Sequence, residues 1–209
     1  GNGHYAGFDV YVSQFANETG DVTFDQNPYW EINQMKSFGF NYNMFDLKFP
    51  IAGKQLGITT GLGFGYHNYS LRNNYVLAHT ADTIFAVQDT VFNFKSNKLQ
   101  VGTISIPLLL DYSFGKNFDK SYYMAVGVIG TYNYGTKQSL TGTYANGDEF
   151  VNSTISAFNM NRWTLDATTR IGYGHFGMFI SYQLNSMFKT GHTVAVYPFR
   201  IGFNILFGI

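Results

Sequence analysis

The chain of 209 residues contains no cysteine and few charged side chains. The lack of cysteine excludes a disulfide scaffold, a thiolate zinc site and a cysteine nucleophile. Charged residues make up 12% of the chain, whereas a typical soluble domain has about 25%. Basic and acidic residues balance at 13 each, giving a formal net charge of +0. Because nucleic-acid binding needs a clustered excess of cations, a nucleic-acid partner is excluded.

The sequence also lacks long apolar runs. The longest, at residues 104–110 and 125–129, are strand-sized and fall short of the roughly 18 apolar residues of a membrane-spanning helix. Aromatic residues nevertheless reach 19%, too many for a disordered chain. The length predicts a single domain over residues 1–209. The chain starts at Gly1 without an apolar leader, which predicts that an export signal has been removed.

Apolar and polar side chains alternate with a period of two along the whole chain, the pattern of half-buried β-strands. The alternating segments are residues 4–14, 37–44, 56–70, 99–114, 122–138, 163–173, 177–184 and 197–209. Their lengths suit strands that cross a bilayer at a tilt.

The connections between these segments alternate strictly between long and short. The short ones cover residues 50–55, 115–120 and 174–177, and the long ones cover residues 16–35, 73–97, 139–162 and 185–196. The second long connection contains strand-like pieces at 75–78 and 83–87. This layout predicts an all-β, eight-stranded antiparallel up-and-down transmembrane β-barrel with four long extracellular loops and three short periplasmic turns. Both termini are then periplasmic.

The two faces of the predicted strands differ in chemistry. One face is aliphatic and aromatic, with Tyr or Trp near the strand ends, as in the aromatic girdles of membrane barrels. The other face carries Gly, Ser, Thr, Asn and six charges that predict an interior charge network: Asp9, Asp111, Asp166, Lys137, Arg170 and Arg200. We therefore expect the apolar face to contact lipid. The alternative is a soluble β-sandwich, which the scarcity of Lys and Glu on the polar faces disfavours.

Two local features interrupt the pattern. After Met44 the apolar parity shifts to Phe45, Leu47 and Phe49, which indicates either a β-bulge or a strand that leaves the membrane near Asp46.

The row Gly61, Gly63 and Gly65 predicts a bare stretch of wall that leaves room for bulky interior groups, among them Tyr11 and Arg170. Since an eight-stranded barrel is just filled by side chains, we expect no open channel. A groove that admits a ligand is the alternative reading of the glycine row.

No pattern of chemistry-bearing residues predicts a catalytic, metal or cofactor site. The five histidines are dispersed and lack the spacing of metal ligands. Some eight-stranded barrels modify lipids with a histidine near the outer rim, and residues 67–70 (His-Asn-Tyr-Ser) lie at that height. A base-activated nucleophile there is the alternative to a non-enzymatic protein.

The last strand carries the sequence features of an insertion signal. Arg200, Gly202, Ile205 and Phe207 resemble the terminal-strand signal of outer-membrane barrels, which predicts the barrel-insertion machinery as a partner during assembly. The final Ile209 stands where the signal usually has an aromatic residue.

Residues 59–64 (Thr-Thr-Gly-Leu-Gly-Phe) and 106–110 (Ile-Pro-Leu-Leu-Leu), with 125–127 and 197–199, resemble the PorT-like small outer-membrane β-barrel family of Bacteroidetes. The resemblance extends from about residue 5 to residue 209. It implies a bacterial outer-membrane protein in contact with the lipid bilayer and lipopolysaccharide. It also implies a structural or accessory subunit of an envelope protein complex, and the family includes a type IX secretion accessory protein.

The long loops contain aromatic residues that suit protein contact: Tyr29, Trp30, Phe85, Phe150 and Phe188. The other interpretation is that these aromatics pack the loops against one another. We therefore expect a non-enzymatic barrel that binds a larger outer-membrane complex. The alternative function is a barrel that binds or modifies a lipid or small ligand near its extracellular rim.

Overall fold

The computed structural model describes residues 3–92, 94–144 and 146–208. Short 3-10 helices occur at Pro28–Trp30, Gln34–Lys36 and Phe118–Lys120. Within the described ranges, no helix has the length and apolar character needed to cross a membrane. The strands are β1 (Gly7–Ala16), β2 (Phe38–Ala52), β3 (Leu56–Ser70), β4 (Tyr75–His79), β5 (Ile84–Gln88), β6 (Phe94–Ser113), β7 (Tyr122–Thr143), β8 (Glu149–Ile155), β9 (Trp163–Tyr173), β10 (Phe176–Gln183) and β11 (Tyr197–Leu206).

Eight strands close into a ring in the order β6, β3, β2, β1, β11, β10, β9, β7, because β6 also pairs with β7. All these pairs are antiparallel, and closure satisfies the backbone groups that a free sheet edge would expose. The predicted up-and-down barrel is confirmed. The strand pieces predicted at 75–78 and 83–87 form the separate β4–β5 hairpin. Strand β8, which pairs with the upper part of β7, was not predicted.

The barrel has an apolar outside and a polar inside. Along β1, Phe8 and Val10 are 46% and 51% exposed, whereas Asp9 and Tyr11, which alternate with them, are 0% and 4% exposed. The other ring strands show the same alternation. Exposed apolar surface costs roughly 25 cal/mol per Å² in water, so this wall suits hydrocarbon. The soluble-sandwich alternative is therefore wrong.

The parity shift after Met44 is a β-bulge. The register between β2 and β3 shifts between Asn43 and Phe45, and pairing continues to Ala52. The strand therefore does not leave the wall at Asp46. The bulge turns Asp46 and Lys48 toward the lumen, where both make partly buried polar contacts.

At the long-loop end, the loops and strand ends share a hydrophobic core, which we call the loop cap: Phe15, Phe24, Trp30, Ile32, Tyr69, Leu71, Leu77, Ile84, Leu99, Val101, Phe158, Met160, Met187, Phe188 and Val196. The Trp30 and Phe188 rings lie 4.4 Å apart, and the Trp30 indole donates a hydrogen bond to Thr193 Oγ1 at 3.0 Å. The loop cap therefore closes the mouth of the barrel with a core of its own.

Trp30 and Phe188 were predicted to contact a partner, and that prediction is wrong. Their exposed fractions are 0% and 1%. The loops bury these rings because aromatic surface above the lipid-facing wall would otherwise be exposed to water. The alternative reading, loops packed against one another, holds for both residues.

We expect Trp30→Ala to loosen the loop cap and leave the barrel closed, because removal of a buried tryptophan costs about 3–5 kcal/mol. Limited proteolysis of the purified protein in detergent should cleave the long loops faster, while heat-modifiable migration on a gel stays unchanged. The matched control is Phe85→Ala, since Phe85 is 42% exposed. Equal cleavage of the two variants would contradict a cap organised around Trp30.

Candidate functional site

The middle of the lumen contains a buried ion pair between β1 and β9. Arg170 Nη1 and Nη2 donate to Asp9 Oδ1 and Oδ2 at 3.0 and 2.6 Å, the two-pronged geometry that suits a guanidinium. The guanidinium also lies over the rings of Tyr5 and Phe179, at 5.1 and 5.0 Å from their centroids. Asn43 donates a further hydrogen bond to Asp9. Both charges are therefore neutralised in place.

A second ion pair lies nearer the long-loop end. Arg200 Nη1 donates to Asp166 Oδ1 at 2.7 Å, and Arg200 Nη2 donates to the Tyr69 hydroxyl at 3.1 Å. Asp166 is four residues from Arg170 along β9, which is roughly 13 Å along the strand. The two arginines thus form separate layers, and Tyr69 connects the upper layer to the loop cap.

A third cluster surrounds Asp111 at the short-turn end. Lys48 Nζ and Thr59 Oγ1 donate to its carboxylate at 3.1 and 2.9 Å. The backbone N–H of His4 donates to it at 2.8 Å, and His4 Nδ1 lies 2.7 Å from Asp111 Oδ1. This cluster holds the chain before β1 inside the lumen.

The segment at residues 3–6 acts as a plug at the short-turn end. Asp46 accepts hydrogen bonds from the backbone N–H groups of Gly3, Tyr5 and Ala6, at 3.1, 3.0 and 2.7 Å. This plug was not predicted from the sequence. The parity shift after Met44 signals only the lumen side of this contact, since counting from a bulge there places residues 46 and 48 in the lumen.

Lys137 was predicted to join the interior charges, and that prediction is wrong. The register of β6 and β7 shifts between Gly102 and Thr103, so that Tyr134 is an extra residue on β7. Beyond this bulge, Thr136 and Gln138 are buried and Lys137 lies on the outer face. The structure brings the other five predicted charges into the lumen, as the three separate clusters described above.

The residues at 67–70 do not assemble a nucleophile and a base. His67 is buried in the lumen, with Nδ1 2.6 Å from the Tyr11 hydroxyl and Nε2 3.2 Å from Thr103 Oγ1. Ser70 is three positions along β3 and therefore belongs to the opposite face. The two lumen cavities beside His67 measure about 30 Å³ each, which is room for one or two water molecules.

Glycines in the wall make room for interior tyrosines and polar side chains. A Cβ at Gly63 would lie 2.6 Å from the Tyr5 hydroxyl, and one at Gly39 would lie 2.6 Å from the Tyr11 ring. A Cβ at Gly65 would lie 2.5 Å from Thr103 Oγ1. The glycine row therefore faces packed side chains. The space beside it is not a ligand groove.

The residues of the C-terminal signal occupy both faces of β11. Arg200 and Gly202 face the lumen, whereas Ile205 lies on the outer wall. Phe207, just past the strand, packs its ring against Phe8 at 5.3 Å. Ile209 lies outside the described residues, and recognition by the insertion machinery stays a prediction.

The other three predicted loop contacts differ in exposure. Tyr29 is half-buried and packs against Trp30 and Tyr75. Phe150 at the start of β8 packs against Tyr144. Phe85 on β5 is the most exposed of the five predicted aromatics.

The exposed ion pair between Lys95 and Glu149 joins β6 to β8 in the loops. The Lys95 hydrogen bond, together with its charge, holds the pKa of Glu149 below its ordinary value. The pair helps to fix the start of β8 beside the β6–β7 hairpin.

Comparison with known proteins identifies one family. The family model described as "Outer membrane protein beta-barrel domain" matches residues 3–189, which include all ring strands except β11. A crystal structure of Ail, the attachment invasion locus protein of Yersinia pestis, in complex with the heparin analogue sucrose octasulfate is 14% identical, with a TM-score of 0.34, and covers 95% of this chain and 94% of that chain. A second crystal structure of Ail is 11% identical, with a TM-score of 0.33, and covers 96% and 98%. No curated protein matches the chain.

We expect Arg170→Met to lower the free energy of unfolding by about 3–5 kcal/mol, because it leaves Asp9 buried without its cation. The double variant Asp9→Leu, Arg170→Met should recover most of this loss, since apolar groups can replace a buried pair at little cost. Urea titration in detergent micelles measures both. The control is Lys137→Met, which should stay within about 0.5 kcal/mol of the wild type. Equal losses for Lys137→Met and Arg170→Met would contradict the assignment of Lys137 to the outer face.

Proposed function

The chain belongs to the outer membrane protein beta-barrel domain family, and from that premise we propose that it is a non-enzymatic structural or accessory subunit of an envelope protein complex. In this proposal the short turns and both termini face the periplasm. The long loops and the loop cap face outward. The outer-membrane location and the contact with lipid follow from the family and the apolar wall.

The packing of the lumen supports a scaffold and disfavours transport or catalysis. Ion pairs and tyrosines fill the middle, residues 3–6 plug one end, and the loop cap closes the other. The interior side chains bond to one another, so a substrate would have to displace buried, paired charges. Recognition is therefore assigned to the surface at the long-loop end.

The observation that carries the proposal is the free edge of β8. Within the described part of the chain, β8 pairs with β7 alone. Val151 and Ile155 on this strand are 71% and 81% exposed. Its seven residues include neither lysine nor proline, the residues that commonly protect an edge strand from pairing. An exposed edge of this kind suits an added strand from another protein.

The register of β7 and β8 identifies which backbone groups of β8 could bond to a partner strand. Tyr144 N–H donates to the Asp148 carbonyl and Ser156 N–H donates to the Thr136 carbonyl. Because bonded positions alternate in an antiparallel pair, residues 150, 152 and 154 point their N–H groups at β7. Val151 and Ser153 point theirs away from the barrel. We propose that an extended segment of another envelope protein pairs at these two positions.

The PorT-like resemblance adds a finer hypothesis, an accessory role in type IX secretion. The motifs at 59–64 and 106–110 carry the resemblance to the family, and both motifs lie in the barrel wall. The hypothesis concerns which complex is bound. The edge of β8 concerns how any partner is bound.

We expect Ser153→Pro to abolish partner binding, because proline removes an N–H group that faces away from β7. Extraction of tagged protein from native outer membranes in mild detergent, followed by quantitative mass spectrometry, should show a co-purifying partner reduced at least tenfold. Ser153→Ala is the control that keeps the backbone N–H. A wild-type protein that always purifies alone would contradict the proposal. Equal losses of the co-purifying partner in the Pro and Ala variants would contradict it as well.

A further inference from the structure

A groove of about 470 Å³ lies at the long-loop end, beside the end of β3 and the start of β6. Four cations line it: Lys36, Arg72, Lys95 and Lys98. Among the described residues that line this basic groove, none is a carboxylate. The whole chain has 13 basic residues and a formal net charge of +0, so this concentration of positive charge is local.

Three of the four cations have no ion-pair partner in residues 3–92, 94–144 and 146–208: Lys36, Arg72 and Lys98. Lys95 is neutralised by Glu149. Lys137 extends the positive surface, because the register places Lys98 opposite Ser139 and Lys137 opposite Gln100. Lys98 and Lys137 are thus diagonal neighbours, about 7–8 Å apart at Cα.

The height of the basic groove matches the headgroup layer. Tyr66 pairs with Gly102 and Phe40 on the outer wall, where aromatic side chains mark the membrane interface. Lys98 is four residues beyond Gly102 along β6. At about 3.3 Å per residue and a tilt near 40°, Lys98 lies roughly 10 Å above that level. Its ammonium group is therefore above the hydrocarbon and beside the lipid headgroups.

We propose that the basic groove binds the phosphate groups of a glycolipid in the outer leaflet. Lys98 lies on the same face of β6 as Ile106 and Leu108 of the lipid-facing wall, so a lipid can reach the groove while its acyl chains stay in the bilayer. Each basic residue near an anionic membrane surface contributes about 1 kcal/mol. The three unpaired cations together then correspond to roughly a hundredfold in affinity. This site rests on the proposed orientation of the barrel, and no residue of β8 lines it.

The test compares two triple variants with the same change in charge. Lys36→Gln, Arg72→Gln, Lys98→Gln removes the three unpaired cations of the groove. Lys54→Gln, Lys116→Gln, Lys120→Gln removes three exposed cations at the short-turn end. The full chain in detergent micelles is titrated with diphosphorylated lipid A, with its dephosphorylated form, and with dextran sulfate as a free polyanion. Native mass spectrometry reports the bound fraction.

We expect the groove variant to bind diphosphorylated lipid A roughly a hundredfold more weakly at low salt and the short-turn variant to bind like the wild type. The dephosphorylated lipid should bind the wild type as weakly as the diphosphorylated lipid binds the groove variant. Equal binding by the two triple variants would overturn the site. Tighter binding of dextran sulfate than of the lipid would overturn the choice of a glycolipid. Ser153→Pro should leave lipid binding unchanged, which separates this result from the proposed function.

Discussion

Every charge that faces the lumen has to be ion-paired or hydrogen-bonded there, because a ring of eight strands is too narrow for bulk water and an unpaired buried charge is strongly destabilising. The three clusters meet this constraint with different partners. Arg170 and Arg200 each pair with one carboxylate. Asp111 instead takes Lys48 and the His4 backbone, so part of the chain before β1 is fixed inside the barrel by the same requirement.

The bulges decide which charges enter the lumen. The bulge after Asn43 moves Lys48 inward, and the bulge at Tyr134 moves Lys137 outward. The first could be read from the sequence, because Phe45 and Leu47 mark the new outer face. The second could not, since residues 135–138 (Gly-Thr-Lys-Gln) contain no apolar side chain to show which way the strand faces. The alternation thus predicted the lipid-facing wall and the paired carboxylates. The one wrongly placed cation, Lys137, follows a change of parity that the sequence does not show.

Contacts that do not follow the two-residue alternation of the strands could not be predicted from the sequence. Gly3, Tyr5 and Ala6 bind through backbone N–H groups to Asp46, about forty positions away, and no local pattern in residues 3–6 predicts such a pairing. The aromatic residues of the loops are of the types enriched at protein–protein interfaces. Composition does not distinguish Trp30, which is buried in the loop cap, from Phe85, which is exposed. Strand β8 is short and only partly alternating, so it resembles a loop until β7 is extended beside it.

The long β6–β7 hairpin links the two surfaces proposed for recognition. Lys98 of β6 and Lys137 of β7 lie on its outer face, and β8 is bonded to the same upper part of β7. The Lys95–Glu149 ion pair adds a direct contact between β6 and β8. A lipid bound at the basic groove would therefore restrict the motion of the β6–β7 hairpin, to which β8 is bonded. Ordering an edge strand before it pairs lowers the entropy lost on binding. Lipid binding at the basic groove would therefore favour the binding of a partner strand at β8.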